Sequence, residues 1–179
     1  MAIPDNKINY TVDDYRLFPE DNIRREIIDG ELYVSASPFR KHQTAVGNLY
    51  YHLRAYLEMH PLGTLLLAPF SVVLSPTDVV EPDLLYVAAE RSAILTDKGV
   101  QGAPDLVVEV LSSKTRRVDE TVKRDLYARA GVREYWLVDT DERSMRIWRA
   151  GGRGFADQPD PLESALFPGF SLPFSRLFL

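Results

Sequence analysis

The sequence predicts an α/β fold, a mixed central sheet flanked by helices with an N-terminal β-hairpin. Three observations carry this. Strand-like apolar runs alternate with helix-periodic segments, Asp29-Gly30 separates two short β-type segments, and Asp105 to Leu111 is nearly continuously apolar, as in a strand covered on both faces. The 179 residues suit a single domain, 1–179, and a 45% apolar content allows a sizeable core.

Thr11-Val12-Asp13-Asp14 has the hydroxyl-x-x-acid form of a helix start, and Phe18-Pro19 ends that first short element. Ile27-Ile28 and Leu32-Tyr33-Val34 then flank Asp29-Gly30, a pair that favours a two-residue type I′ turn. Pairing Ile28 with Glu31 sets Glu26 opposite Tyr33. Strand alternation then puts Glu26 and Glu31 on one face and Ile27, Leu32 and Val34 on the other. From about His42 to Met59, residues Val46, Leu49, Tyr50, Leu53, Tyr56 and Leu57 recur at helical spacing, and Pro61 and Gly63 stop the helix.

Leu65 to Leu74 and Asp83 to Val87 read as strands parted by the turn-rich Ser75-Pro76-Thr77-Asp78, and Ala89 to Lys98 as a short helix. After the strand at Asp105 to Leu111, a helix from about Asp119 to Ala130 closes at Gly131. Glu134 to Val138 is the next strand, with Met145 to Arg149 as its partner. The Pro-, Gly- and Phe-rich tail reads as an irregular segment laid on the body.

With no cysteine, disulfide frameworks and thiolate metal sites are excluded. The stretch Met1-Ala2-Ile3-Pro4-Asp5-Asn6-Lys7 lacks a signal pattern and no apolar run approaches a membrane span, so a cytoplasmic protein without membrane contact is expected. A net charge of -5 argues against unspecific coating of nucleic acid, but it is compatible with a site built from carboxylates beside local basic patches such as Arg116-Arg117.

Two acids interrupt the apolar runs: Asp83 in Glu81-Pro82-Asp83-Leu84-Leu85-Tyr86-Val87, and Glu109 in Asp105-Leu106-Val107-Val108-Glu109-Val110-Leu111-Ser112. A lone buried carboxylate is protonated or needs a cation or several hydrogen bonds. A metal ion is the partner that would also give the pair a function.

Pro82-Asp83 followed by Glu109 at the end of the next long strand resembles the split acidic signature of the PD-(D/E)XK nuclease superfamily. More narrowly, the strings 26–32, 82–85, 102–112 and 127–139 resemble the putative restriction endonuclease family, long classed as a domain of unknown function; the likeness runs to Phe167-Pro168-Gly169-Phe170. The resemblance implies a restriction endonuclease-like fold in which Asp83, Glu109 and the carbonyl of Val110 hold Mg²⁺ or Mn²⁺, hard ions that suit oxygen ligands. It implies hydrolysis of a phosphodiester by a metal-activated water, with DNA as the nucleic-acid substrate.

The family pattern has a lysine two residues after the second acid, where this chain has Leu111. The resemblance moves that cation to the following helix, where Lys123 is the candidate; Lys114, in the loop after the strand, is the weaker alternative. The plainer reading is an Asp119–Lys123 pair on a solvated helix face, worth about 0.2–0.5 kcal/mol. Glu26 or Glu31 is a candidate third carboxylate. His42 is a candidate for orienting a water or phosphate, Ser112 for a hydrogen bond to the site, and Tyr127 for packing.

The second functional class is a non-catalytic nucleic-acid-binding or interaction module on the same fold, which the missing lysine at Leu111 permits. A sugar or acyl hydrolase is disfavoured, since the chain has no Gly-x-Ser-x-Gly elbow. Two-fold symmetry suits cleavage of both strands, so a homodimer is entertained, with exposed aromatics of the tail as its surface.

Overall fold

A computed structural model of the chain describes residues 8–178 apart from Glu20, Asn22 and Ala36; the N-terminal stretch read above for a signal pattern lies outside them. Helix α1 (Val12–Tyr15) precedes the hairpin β1 (Arg24–Ile28) and β2 (Glu31–Ser35), then the long helix α2 (Arg40–Met59). Strands β3 (Gly63–Leu67), β4 (Val72–Ser75), β5 (Asp78–Val80) and β6 (Leu84–Ala88) lead to a 3₁₀ segment, Ala89–Ile94, and to β7 (Leu95–Thr96) and β8 (Gly99–Gln101). The long strand β9 (Leu106–Val110) is followed by a helical run: α3 (Arg116–Val118), a π-helical turn at Asp119–Lys123, and α4 (Arg124–Ala130). Strands β10 (Glu134–Asp139), β11 (Ser144–Arg149) and β12 (Ala156–Asp157) and the short α5 (Phe174–Leu177) complete it.

The strands form two mixed sheets, ordered β2-β1-β5-β4-β8-β7 and β12-β11-β10-β9-β6-β3. In the second, β9 and β10 run parallel while β6 pairs antiparallel with both β3 and β9. The expected mixed α/β class is present, and the N-terminal hairpin forms one edge of the first sheet, with β1 paired to β5. The run read as one strand from Leu65 to Leu74 is two strands in different sheets, and the segment read as a helix to Lys98 supplies β7 after a single 3₁₀ stretch. Strands of two or three residues such as β5, β7 and β8 are too short to show an alternation.

The hairpin has the expected register, Ile28 opposite Glu31 and Glu26 opposite Tyr33. Asp29 (φ 51°) and Gly30 (φ 73°) both take the positive φ that a type I′ turn requires. A side chain at Gly30 would also strike Asn9, 1.7 Å from its Oδ1. Val12 starts α1 behind a capping box, in which Asp14 bonds the Thr11 backbone N–H at 2.8 Å.

Alternation along the central strands sorts side chains into two cores. Leu106, Val108 and Val110 of β9, with Trp136 and Val138 of β10, face α2, where Leu49 and Leu53 are buried, and Phe167 of the tail joins them. Val107, Tyr135, Leu137 and Leu111 face the other way, against Ile28, Val72, Val100, Leu126 and Tyr127. Each fully buried Leu or Val contributes about 1.5–3 kcal/mol over its exposed state. Leu85 and Val87 of β6 face that second core, so by the period of two Asp83 and Glu109 are directed to it as well.

Candidate active site

The β6–β9 register pairs Leu84 with Val108 and Leu85 with Val107. Continued by one residue, it sets Asp83 opposite Glu109. Two carboxylates directly across an antiparallel pair would repel, and two cations answer them. The Arg24 guanidinium spans the pair, Nη1 to Asp83 Oδ1 at 2.8 Å and Nη2 to Glu109 Oε2 at 3.2 Å. Lys123 Nζ reaches Glu109 Oε1 at 2.8 Å and Glu26 Oε2 at 2.7 Å, with Asp119 Oδ1 at 3.6 Å.

Further groups orient three of these acids. The Val110 N–H donates to Asp83 Oδ2 at 2.8 Å, and His42 Nε2 lies 3.0 Å from the same oxygen. Tyr127 Oη donates to Glu109 Oε1 at 3.3 Å, and the Glu81 N–H to Glu26 Oε1 at 2.9 Å. Arg24 Nε and His42 Nδ1 are buried with no hydrogen-bond partner among the described residues.

Burial raises all four acids, and their neighbours decide the outcome. His42, Arg24 and the Val110 N–H hold Asp83 below the usual carboxylate range. Lys123 and Arg24 hold Glu26 below its ordinary value. Glu109 is pushed up to about 8, because burial and the nearby Asp83 and Asp119 outweigh the pull of Lys123 and Arg24. Asp119 is raised by burial against the same lysine. Lys123 is disfavoured as a cation by burial, yet Glu109 and Glu26 carry it above its ordinary value.

Four buried carboxyls thus face the two cations Arg24 and Lys123, a surplus of two acids over cations that the protein by itself meets by raising Glu109 and Asp119 toward protonation. A divalent cation would balance that surplus, and the oxygen-rich donor set is of the kind Mg²⁺ and Mn²⁺ take. In that sense the residues fit such an ion. Among the described residues, however, no three or more His, Asp and Glu side chains stand arranged as a ready metal site. Arg24 fills the gap between the two central acids.

Two cavities meet at this cluster. One of ≈ 290 Å³ is lined by Glu109, Val110, Lys123, Ser112 and Lys114. The other, of ≈ 580 Å³, is lined by Tyr15, Arg16, Phe18, Arg25 and Gln43. Arg24, His42 and Asp83 belong to both walls.

Residues 12–175 match the Uma2 family, described as putative restriction endonuclease. The chain belongs to that family. A crystal structure of a putative nuclease belonging to DUF820, from Anabaena variabilis ATCC 29413, is similar with a TM-score of 0.78 and 18% sequence identity, over 94% of this chain and 97% of that one. At that identity the likeness establishes the shared fold. No curated protein matches the chain.

In this Uma2 chain the sequence-derived candidates Asp83, Glu109, Lys123, Glu26 and His42 come together. The solvated Asp119–Lys123 pair does not hold: both residues are buried, Lys123 to 3% exposure, and the lysine's shorter contacts are to Glu26 and Glu109. Glu31 accepts from Tyr33 Oη at 3.2 Å and lines neither cavity. Ser112 bonds within its own loop, to Thr115, and Lys114 lies on the smaller cavity's wall. Tyr127 packs as expected and also touches Glu109. The aromatics of the tail do not form an exposed surface, since Phe167, Phe170 and Phe178 are buried.

Sequence reading missed Arg24 and the membership of Asp119. Arg24 stands two residues before Glu26 on β1, hence on the same strand face, which is the signal that points to it. For Asp119 the signal was its i,i+4 spacing to Lys123: a lysine turned inward brings it along. The π-helical turn spans both residues, a feature that recurs at functional sites.

Proposed function

We propose that the protein is a divalent-metal-dependent nuclease hydrolysing phosphodiester bonds of DNA, with Asp83, Glu109 and the Val110 carbonyl holding Mg²⁺ or Mn²⁺. The observation that carries this reading is the buried acid surplus centred on Asp83 and Glu109, opening to two cavities. Family membership agrees with it. When bound, the ion supplies charge neutralisation at the phosphate and a water of lowered pKa.

The chain's own groups have separable roles. The Val110 N–H and His42 fix the Asp83 carboxylate, and Tyr127 with Lys123 fixes Glu109. Glu26 anchors Lys123, so its ammonium is held beside Glu109 on the wall of the smaller cavity, where it offers positive charge to a phosphate. This geometry supports Lys123 as the migrated lysine of the family pattern.

The non-catalytic alternative has one observation in its favour: Arg24 and Lys123 already satisfy the two central acids. Incubation with plasmid DNA separates the two readings. Cleavage is expected with Mg²⁺ or Mn²⁺, to stop on chelation, and to be lost in Asp83→Ala and Glu109→Ala with the circular dichroism of the fold retained. Cleavage that survives chelation would overturn the metal-dependent reading, and absence of both cleavage and Mn²⁺ binding would favour the binding module.

A further inference from the structure

We propose that Arg24 is a displaceable cation: it holds Asp83 and Glu109 together in the metal-free protein and moves to a nucleic-acid phosphate when the site is loaded, making metal binding and nucleic-acid binding mutually dependent. The inference rests on the metal-dependent reading above and adds to it an obligatory exchange of one cation for another.

The geometry singles Arg24 out from the other cation of the cluster. Its fork touches Asp83 and Glu109 through two different nitrogens, with Glu26 Oε1 at 3.6 Å from Nη2. That is the space between the two acids where a shared ion would lie. A divalent cation and a guanidinium placed together there would repel strongly at low dielectric, so one excludes the other. Lys123 is enclosed by Glu26, Glu109 and Asp119 and lines the smaller cavity alone. Arg24 lines both cavities, and its side chain keeps 24% exposure. It therefore has a route out.

Its hold on the cluster is also incomplete. Among the described residues Nε is buried without a partner, a cost a purely structural arginine would be expected to avoid. The larger cavity gives the guanidinium somewhere to go, since Arg16 and Arg25 stand on the same wall, each with an aspartate beside it at 2.8 and 2.7 Å. A phosphodiester entering there meets arginines and offers Arg24 the two-oxygen partner its fork matches. Each event then favours the other: a phosphate that draws Arg24 away vacates the acids for the ion, and an ion that expels Arg24 releases it to the phosphate. Linkage requires the two effects to be equal in size.

The test reads metal affinity without catalysis, by the electron paramagnetic resonance signal of unbound Mn²⁺, with a phosphorothioate duplex as the nucleic-acid probe and Asp83→Asn with the same duplex as background. Wild-type protein is expected to bind Mn²⁺ about tenfold more tightly with the duplex than without it, within the usual range of such couplings. Arg24→Met should bind Mn²⁺ about tenfold more tightly than wild type in the absence of duplex and respond little to its addition. Arg24→Lys keeps the charge but not the fork, serves where the methionine variant fails to fold, and should also bind more tightly than wild type. Folded Arg24 variants with wild-type Mn²⁺ affinity would overturn the displacement, and a wild type whose affinity ignores the duplex would overturn the coupling. A wild type that binds no Mn²⁺ with or without duplex would instead remove the metal-dependent reading on which the inference stands.

Discussion

Asp105, just before β9, and Glu109, near its far end, are both buried, in opposite circumstances. Asp105 is a single acid with two arginines, Arg91 at 3.0 Å and Arg133 at 3.4 Å, and its other oxygen accepts the Ala88 N–H at 2.9 Å. It lines neither of the two cavities at the acid cluster. Glu109 belongs to a group with more acids than cations, is raised toward protonation, and lies on a cavity wall. The first is a closed lock tying β9 to β6 and to the approach to β10. The second is a buried carboxyl in an acid-rich group, where burial and the neighbouring acids favour the protonated form. Burial of a carboxylate is common to both; the balance of the charge around it tells them apart.

Lys123→Met is the strongest way to break the contrast. It removes the cation but keeps much of the apolar stem, and DNA cleavage should fall by orders of magnitude while Mn²⁺ binding persists. A stability loss of about 3–5 kcal/mol is expected with it, as for a broken buried pair, because Glu26 and Glu109 lose their closest cation. Leu111→Lys on that background restores a cation at the position the superfamily pattern uses, and recovered cleavage would show that both positions serve one site. Undiminished cleavage in Lys123→Met alone would assign the cation elsewhere.

Asp105→Ala should lower stability by about 1–3 kcal/mol, since it strands the buried Ala88 N–H while Arg91 and Arg133 still reach solvent, and should leave Mn²⁺ affinity unchanged. Denaturant midpoints give the first and the Mn²⁺ titration the second. A variant that keeps its stability but loses metal would make Asp105 part of the site and dissolve the comparison.

The contrast also extends to pH. The Glu109 carboxyl is pushed from its ordinary 4.5 up to about 8, so its protonation stabilises the metal-free fold fully below about 4.5, and this contribution is lost as pH rises through about 8. A metal ion needs the ionised form, so Mn²⁺ affinity should climb with pH up to about 8 and level above it, with proton release detectable by calorimetry in buffers of different ionisation enthalpy. Glu109→Gln should flatten the stability profile over that range. A Mn²⁺ affinity independent of pH below 8 would show that Glu109 is already ionised beside Lys123.

Much of the site was legible because it depends on local periodicities. Asp29-Gly30 determined the hairpin register and with it the face that carries Glu26, and Asp83 and Glu109 stood out as acids interrupting apolar strands. The approximate extents of α2 and β9, and the helix stop at Gly131 (φ 91°), also follow from short-range rules of spacing and backbone freedom. Tertiary structure decided how those pieces met: the division of the strands into two sheets, the burial of the tail's phenylalanines, the inward turn of Asp119 and Lys123, and the insertion of Arg24 between acids 59 and 85 residues away. The reason is physical. A repeat of two or 3.6 residues fixes which face a side chain is on, whereas which charges share a desolvated space depends on long-range packing that brings faces together.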